Sequence, residues 1–250
     1  MAQEMNRVVT VGGSEASIRL DKFRMADKIE FYDDFLGLLL KKVISAENTT
    51  AQWSTVETDI NLAPDNVADA VNGVCQLTLD SDDVAQVACL YFGDTEQFVI
   101  GQGLIFEARV TLAVLPTTGT EEVEAAFGLA GEHNADLDTV DIKAWFRSES
   151  PTETTLLWES DDDTTADEDN DTGVTLVAGT YHVYKIDASD ASAVQFYVDD
   201  VLVGEADMSD LDATLAKVQP YFQLSKAKSS ANTGVATMYI DYVRITQDRS

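Results

Sequence analysis

The chain has little of several things, and each scarcity narrows what it can be. It holds two cysteines in 250 residues, Cys75 and Cys89, too few for a disulfide framework. It holds two histidines, His133 and His182, and no cysteine or histidine cluster with zinc spacing. No segment approaches the roughly 18 consecutive apolar residues that span a bilayer. The opening ten residues lack the apolar stretch of a secretory leader, so synthesis and assembly in the cytosol are expected. Cations are scarce: 16 Lys and Arg stand against 45 Asp and Glu, a formal charge of −29. Such a chain repels a phosphate backbone and an anionic lipid surface, which argues against nucleic acid and membrane as partners. There is no G-x-S-x-G nucleophile elbow. There is also no phosphate-cradling glycine loop, since Gly101-Gln-Gly103 reads as a turn before a strand.

What the chain does have is strand signal. A hydrophobic fraction of 45% supports a globular protein, and a chain of this length buries roughly 70–75% of its extended surface on folding. From Leu104 to Val114 the residues alternate. Leu104, Phe106, Ala108, Val110, Leu112 and Val114 share one face, with Glu107, Arg109 and Thr111 on the other, the period-two mark of a half-buried strand. The segment 125–131 reads as its neighbour. Strands are also predicted over 140–147 and 154–159 around Ser150-Pro151, over 179–187, and over 193–205 with a two-residue hairpin at Asp199-Asp200. Further strands are predicted at 220–224 and 237–246. Val74 to Leu79 and Val84 to Phe92 read as a hairpin that would set Cys75 opposite Cys89; two small buried residues in a reduced cytosol is the plainer alternative. Met208 to Ala216 is the best helix candidate, and 36–44 is ambiguous. About a dozen strands with little helix predict an all-β, antiparallel two-sheet sandwich.

The closing run, Met238-Tyr-Ile-Asp-Tyr-Val-Arg-Ile-Thr246, is aromatic and β-branched and predicts a strand in the interior of a sheet. It resembles the last strand of concanavalin A-like sandwiches. The opening Asp33-Asp-Phe-Leu-Gly37 followed by Trp53, and the hairpin Phe196-Tyr-Val-Asp-Asp-Val-Leu-Val-Gly-Glu205, are similar to segments of the same superfamily. That superfamily includes lectins, laminarinase-type hydrolases and virion proteins of tailed phages. The resemblance implies a jelly-roll over residues 29–250, preceded by an N-terminal arm or first strand over residues 1–28. It also implies a virion structural protein of a tailed phage, made in the host cytoplasm. The role favoured is a capsid decoration protein on the head surface, with the major capsid protein and copies of itself as partners. A carbohydrate-binding module that meets a surface glycan, or a tail or fibre component, is the alternative.

Laminarinase-type enzymes carry an E-x-D-x-E strand whose alternation puts the carboxylates on one face. This chain lacks it: Glu121-Glu-Val-Glu124 has the wrong spacing, and Glu107 stands alone. The expectation is therefore no catalytic residues and no enzymatic activity. The acidic stretch 159–173 is the one metal candidate, because Asp167, Asp169 and Asp171 alternate and hard oxygens suit calcium. It departs from an EF-hand loop, with glycine at the seventh position and no closing glutamate. It reads as a solvated loop, so no metal and no cofactor is expected. Trp145, Trp158, Tyr181, Tyr184 and Tyr197 are either sugar-stacking aromatics or core. Arg19, Lys22, Arg24 and Lys28 gather four of the 16 cations within ten residues and are the candidate capsid-binding residues.

Overall fold

The computed structural model describes residues 28–36, 53–58, 62–67, 70, 72–117, 122–211, 217–227 and 233–249. These residues form two antiparallel eight-stranded sheets packed face to face. The first sheet has the strand order β14 (Val201–Ala206), β13 (Val194–Val198), β12 (His182–Ala188), β7 (Leu104–Val114), β16 (Ala236–Asp248), β4 (Cys75–Leu79) and β3 (Asp65–Asn66), with β1 (Lys28–Asp33) also paired to β16. The second has the order β11 (Ala166–Thr175), β10 (Thr155–Asp162), β9 (Ile142–Glu149), β8 (Val123–Ala130), β15 (Lys217–Lys226), β5 (Gln86–Tyr91) and β2 (Ser54–Glu57), with β6 (Phe98–Val99) on β15. Among the described residues there is no α-helix, and no helix is long and apolar enough to cross a membrane.

The alternation read along 104–114 sets the inner face of the first sheet. Leu104, Phe106, Ala108 and Val110 are fully buried, and Val114 alone of that set has surfaced. The closing strand lies where its composition places it, inside the sheet between β7 on one side and β1 and β4 on the other. Asp199 and Asp200 both have positive φ, 50° and 65°, the backbone that a type I′ hairpin turn needs and that Asp tolerates.

Four expectations change. The segment 123–130 is not the neighbour of 104–114. It crosses to the second sheet and pairs with β9 and β15, while β7 pairs with β12 and β16. Nor do β4 and β5 form a hairpin. They belong to opposite sheets, so Cys75 sits across from Ile240 and Cys89 across from Gln223, and both are buried free thiols. The acidic stretch is not a loop: 166–175 is the edge strand β11, bulged against β10. Bulges and a row of acids on an open edge keep a second chain from adding to it. Finally, Met208 to Leu211 form a turn and no helix, with 212–216 outside the described residues. The ambiguous segment 36–44 lies outside them from 37 onward, as do Arg19, Lys22 and Arg24 of the arm. Lys28 is the first residue of β1 and pairs with Asp248 at 3.3 Å.

Candidate functional site

The outer face of the second sheet carries the densest chemistry. On β9, Trp145, Arg147 and Glu149 point outward by alternation. Register then brings partners from other strands. Glu124 on β8 lies opposite Glu149, Glu159 on β10 opposite Trp145, and Gln223 on β15 beside Ala126. The segment 131–141 folds back over this face. Its Leu137 and Val140 pack onto Val87, Cys89, Tyr91, Trp145 and Tyr221. It is held by the Tyr221 hydroxyl on the Asn134 carbonyl (3.1 Å) and by Gln223 Nε2 on the carbonyls of Asn134 and Ala135 (3.2 and 3.1 Å). Trp145 and Tyr221, stacked at 5.9 Å, are sealed beneath it.

At the centre lies Arg147, 5% exposed and surrounded by four carboxylates. Its Nη1 donates to Asp138 of the covering segment (2.7 Å) and to Glu159 (3.3 Å), and its Nη2 meets Glu124 and Glu149 (2.9 Å to the latter). Trp145 Nε1 donates to the second oxygen of Glu159 (2.7 Å), and Ser225 Oγ to that of Glu124 (2.8 Å). Burial works against the guanidinium's charge, but Glu159, Glu124, Glu149 and Asp138 outweigh it and hold the group protonated. Burial also raises the Glu124 carboxyl, against the pull of Arg147. Glu122, Glu124 and Glu149 bring oxygens within 4.8 Å of one another, and Arg147 already supplies the compensating charge to two of them.

Glu149 is pushed up to about 7, first by burial and then by Glu122, Asp169 and Glu159, with Arg147 opposing. A carboxyl that holds its proton more tightly when folded than at its unfolded value of about 4.3 stabilises the fold fully below about pH 4.3. That contribution is lost as pH rises through about 7. The shift corresponds to on the order of 3 kcal/mol, reduced to about 1–2 kcal/mol by solvent at the exposed edge of the side chain. Glu149→Gln should match the wild type in urea unfolding at pH 4.5 and exceed it by about 1–2 kcal/mol at pH 8. Parallel stability curves for the two proteins across that range would contradict the assignment.

Beside the covering segment, at the rim of the same face, is a pocket of about 330 Å³ lined by Glu96, Glu132, His133, Asn134, Asp141 and Asp163, with Gly131, Thr139 and Ile142. Three separate stretches of chain meet there. Asp94 Oδ1 accepts from the His133 backbone N–H (2.8 Å) and from Gln219 Nε2 (3.0 Å), pinning the start of the covering segment to the end of β5. The His133 ring lies 5.2 Å from that of Tyr91. Its Nε2 is buried without a hydrogen-bond partner, and burial lowers its pKa against the pull of Asp94, so the ring is neutral at pH 7. Burial and the nearby Glu132 and Asp94 raise the Glu96 carboxyl. The arrangement offers several carboxylate acceptors and one amide in a single concavity, with the His133 ring packed behind it on Tyr91 and Tyr221.

Of the residues singled out in the sequence, His133 lies at this pocket. His182 instead pairs with Asp199 (2.7 Å) at the end of β12. Trp145, Trp158 and Tyr184 are buried, whereas Tyr181 and Tyr197 are half-exposed beside Arg109 and Lys185 on the other sheet. Glu107 accepts from the Tyr242 hydroxyl (2.9 Å) on that same sheet. Asp167, Asp169 and Asp171 lie along the β11 edge, with Asp169 near enough to Glu149 to help raise its carboxyl. Arg147 and its ring of carboxylates, and the acids of the rim pocket, gave no motif in the sequence.

No family model and no curated protein matches the chain. Solved structures do match its fold. A glycoside hydrolase family 16 endo-glucanase from Bacteroides ovatus superposes with a TM-score of 0.56 at 16% identity, over 86% of this chain and 99% of its own. LamA from Z. galactanivorans, in complex with laminaritriose and laminaritetraose, gives 0.55 at 18% identity, over 87% and 98%. The carbohydrate recognition domain of Emp47p gives 0.54 at 10% identity, over 89% and 97%. The fold is thus the concanavalin A-like jelly-roll shared by these hydrolases and this lectin domain. The expectation of a non-enzymatic chain is corrected here. It rested on a missing E-x-D-x-E strand, yet most of these neighbours are glycoside hydrolases.

Proposed function

We propose that the chain is a carbohydrate-engaging jelly-roll and that its glycan site is the rim pocket formed by Glu96, Glu132, His133, Asn134, Asp141 and Asp163. The observation that carries this reading is the gathering of four carboxylates, an amide and a histidine from three stretches of chain around one concavity. Sugar hydroxyls donate readily to carboxylates, and the Asn134 amide can both donate to and accept from them. The fold is one whose solved examples include proteins seen with glucan oligosaccharides. The test is a glycan array followed by calorimetry, with laminaritriose and laminaritetraose among the probes. Binding should fall at least tenfold in Asp141→Asn and in His133→Ala with the circular dichroism spectrum unchanged. Wild-type protein that binds no glycan on the array would overturn the reading.

A second reading, a tailed-phage virion component such as a head decoration protein bound to the major capsid protein, is supported by a different observation. The chain's own segment 131–141 covers part of the outer face of the second sheet, and a covered face is compatible with docking on a larger surface. The strongly acidic composition suits a particle surface, where like charge keeps neighbours apart. In this reading the cations Arg19, Lys22, Arg24 and Lys28 anchor the chain to the shell. Deletion of residues 1–28 should abolish binding to purified particles, and full occupancy by the truncated protein would remove the anchor from the scheme.

A further inference from the structure

The outer face of the first sheet is built unlike the rest of the surface. By alternation it presents Lys28, Glu30 and Tyr32 from β1, and Tyr239, Tyr242 and Arg244 from β16. Glu107 and Arg109 come from β7, Lys185 and Asp187 from β12, and Tyr197 from β13. Tyr181, just before β12, lies under Arg109. Five of the chain's eight tyrosines therefore stand on one face, where an average surface would not concentrate them; tyrosine and arginine are the residues enriched where proteins meet. They are also held in place. Arg109 bonds Asp241 and stacks on Tyr181 at 4.3 Å. Lys185 lies 3.9 Å over the Tyr197 ring. The Tyr242 hydroxyl donates to Glu107, Arg244 Nε donates to Glu30 (3.0 Å), and the Tyr32 and Tyr242 rings lie 6.0 Å apart. Side chains ordered before contact lose less entropy on binding.

The charge balance indicates what can approach. Four cations, Lys28, Arg109, Lys185 and Arg244, stand here among six carboxylates, Glu30, Glu107, Asp187, Glu205, Asp241 and Asp248. The whole chain has 16 against 45. Two molecules of −29 repel wherever their acids face each other; on this face acids outnumber cations by far less than in the whole chain, and the cations of one copy find carboxylates on the other. Six strands at about 4.8 Å spacing and about eight residues of 3.3 Å each make a patch of roughly 750 Å², close to the approximately 800 Å² per partner of a standard stable interface.

We propose that this tyrosine-rich face pairs with the same face of a second copy, forming a two-fold dimer. Like-with-like contact suits the patch because its charges are mixed within it and not segregated to one side. The anchors are Tyr32, which is 56% exposed, and Arg244, whose side chain is 49% exposed.

The test is sedimentation equilibrium of the full chain from 1 to 200 µM. A concentration-dependent dimer is expected, and it should be tighter in 0.5 M than in 0.05 M salt, because salt screens the repulsion between two −29 bodies. Tyr32→Glu and Arg244→Glu should each weaken association at least tenfold with an unchanged far-UV spectrum. Asp171→Asn, exposed on the opposite sheet's edge strand, should leave it unchanged. A monomer at 200 µM in both salts would overturn the proposal, as would a dimer indifferent to both face substitutions. If deletion of residues 1–27 is required before a dimer forms, the chain's own N-terminal segment is the occupant of the face, and the proposal fails in favour of that contact.

Discussion

Arg147→Met should lower stability by about 3–5 kcal/mol, the usual cost of removing one partner from a buried ionic cluster. In a chain of this size that is a fall of roughly 6–20 °C in the melting midpoint. The methionine fills much of the guanidinium's volume, so the loss reports charge more than packing. The charge left behind is the reason for its size. Glu159 is fully buried, Glu124 nearly so, and Asp138 would lose the contact that ties the covering segment to the sheet. Two companions separate the causes. Arg147→Lys keeps the charge but not the fork that reaches four carboxylates, and should fall between the wild type and Arg147→Met. Arg147→Met combined with Glu159→Gln should recover part of the loss, because the stranded carboxylate is then gone. A change below about 1 kcal/mol for Arg147→Met, measured by urea unfolding at pH 7, would mean that the cluster is solvated and the segment 131–141 is not held by it.

Trp53→Ala should cost a similar 3–5 kcal/mol, for a different reason: the cavity left by a large core aromatic. Trp53 is 2% exposed, and its ring is packed edge-on against Phe31, Phe92 and Phe222 at 5.7, 4.9 and 6.2 Å, with Phe35 at 5.8 Å. These rings come from both sheets, so the indole joins the first strand pair to the inner face of the second sheet. Its Nε1 donates to Asp33 Oδ2 (2.8 Å), while Asp33 Oδ1 accepts from the Phe35 N–H in the turn that follows β1. Trp53→Phe keeps the ring contacts and loses the bond, and should cost only about 1–2 kcal/mol. Equal losses in Trp53→Phe and Trp53→Ala, measured by denaturant unfolding, would place the energy in the hydrogen bond and not in the packing.

Much of the fold was legible because its signals are local. Leu104–Val114 alternates cleanly, Asp199-Asp200 is a turn pair between two apolar runs, and the last strand is aromatic and β-branched throughout. What alternation does not encode is the partner. Val74 to Leu79 and Val84 to Phe92 around a short polar link look like a hairpin, but the same pattern serves two strands that cross between sheets. In the structure the link is fastened from outside, with Lys226 Nζ donating to the carbonyls of Asp80 and Asp82 (2.6 and 2.7 Å). The strand β11 was illegible for a second reason. An edge strand open to solvent needs few apolar residues, and in Ala166 to Thr175 the residue Val174 packs against the core from within a run of acids. The candidate site was least legible of all. Arg147 sits in an ordinary strand sequence, and its carboxylates come from positions 124, 138, 149 and 159. The rim pocket joins Glu96, residues 131–142 and Asp163. His133 stood out beforehand because histidine is rare in this chain, whereas Glu124 entered only in a run of the wrong spacing, and Glu159 and Asp163 only as members of an acidic stretch.

The site assignment is tested most directly by amide NMR of the full chain titrated with the glucan oligosaccharides used as probes above, and with any glycan that the array selects. Glycan recognition at the rim pocket requires the shifted amides to cluster at residues 94–96, 131–142 and 163, and to stop shifting in Asp141→Asn. Shifts confined to the outer face of the first sheet, or no saturable shift with any of these glycans, would contradict it.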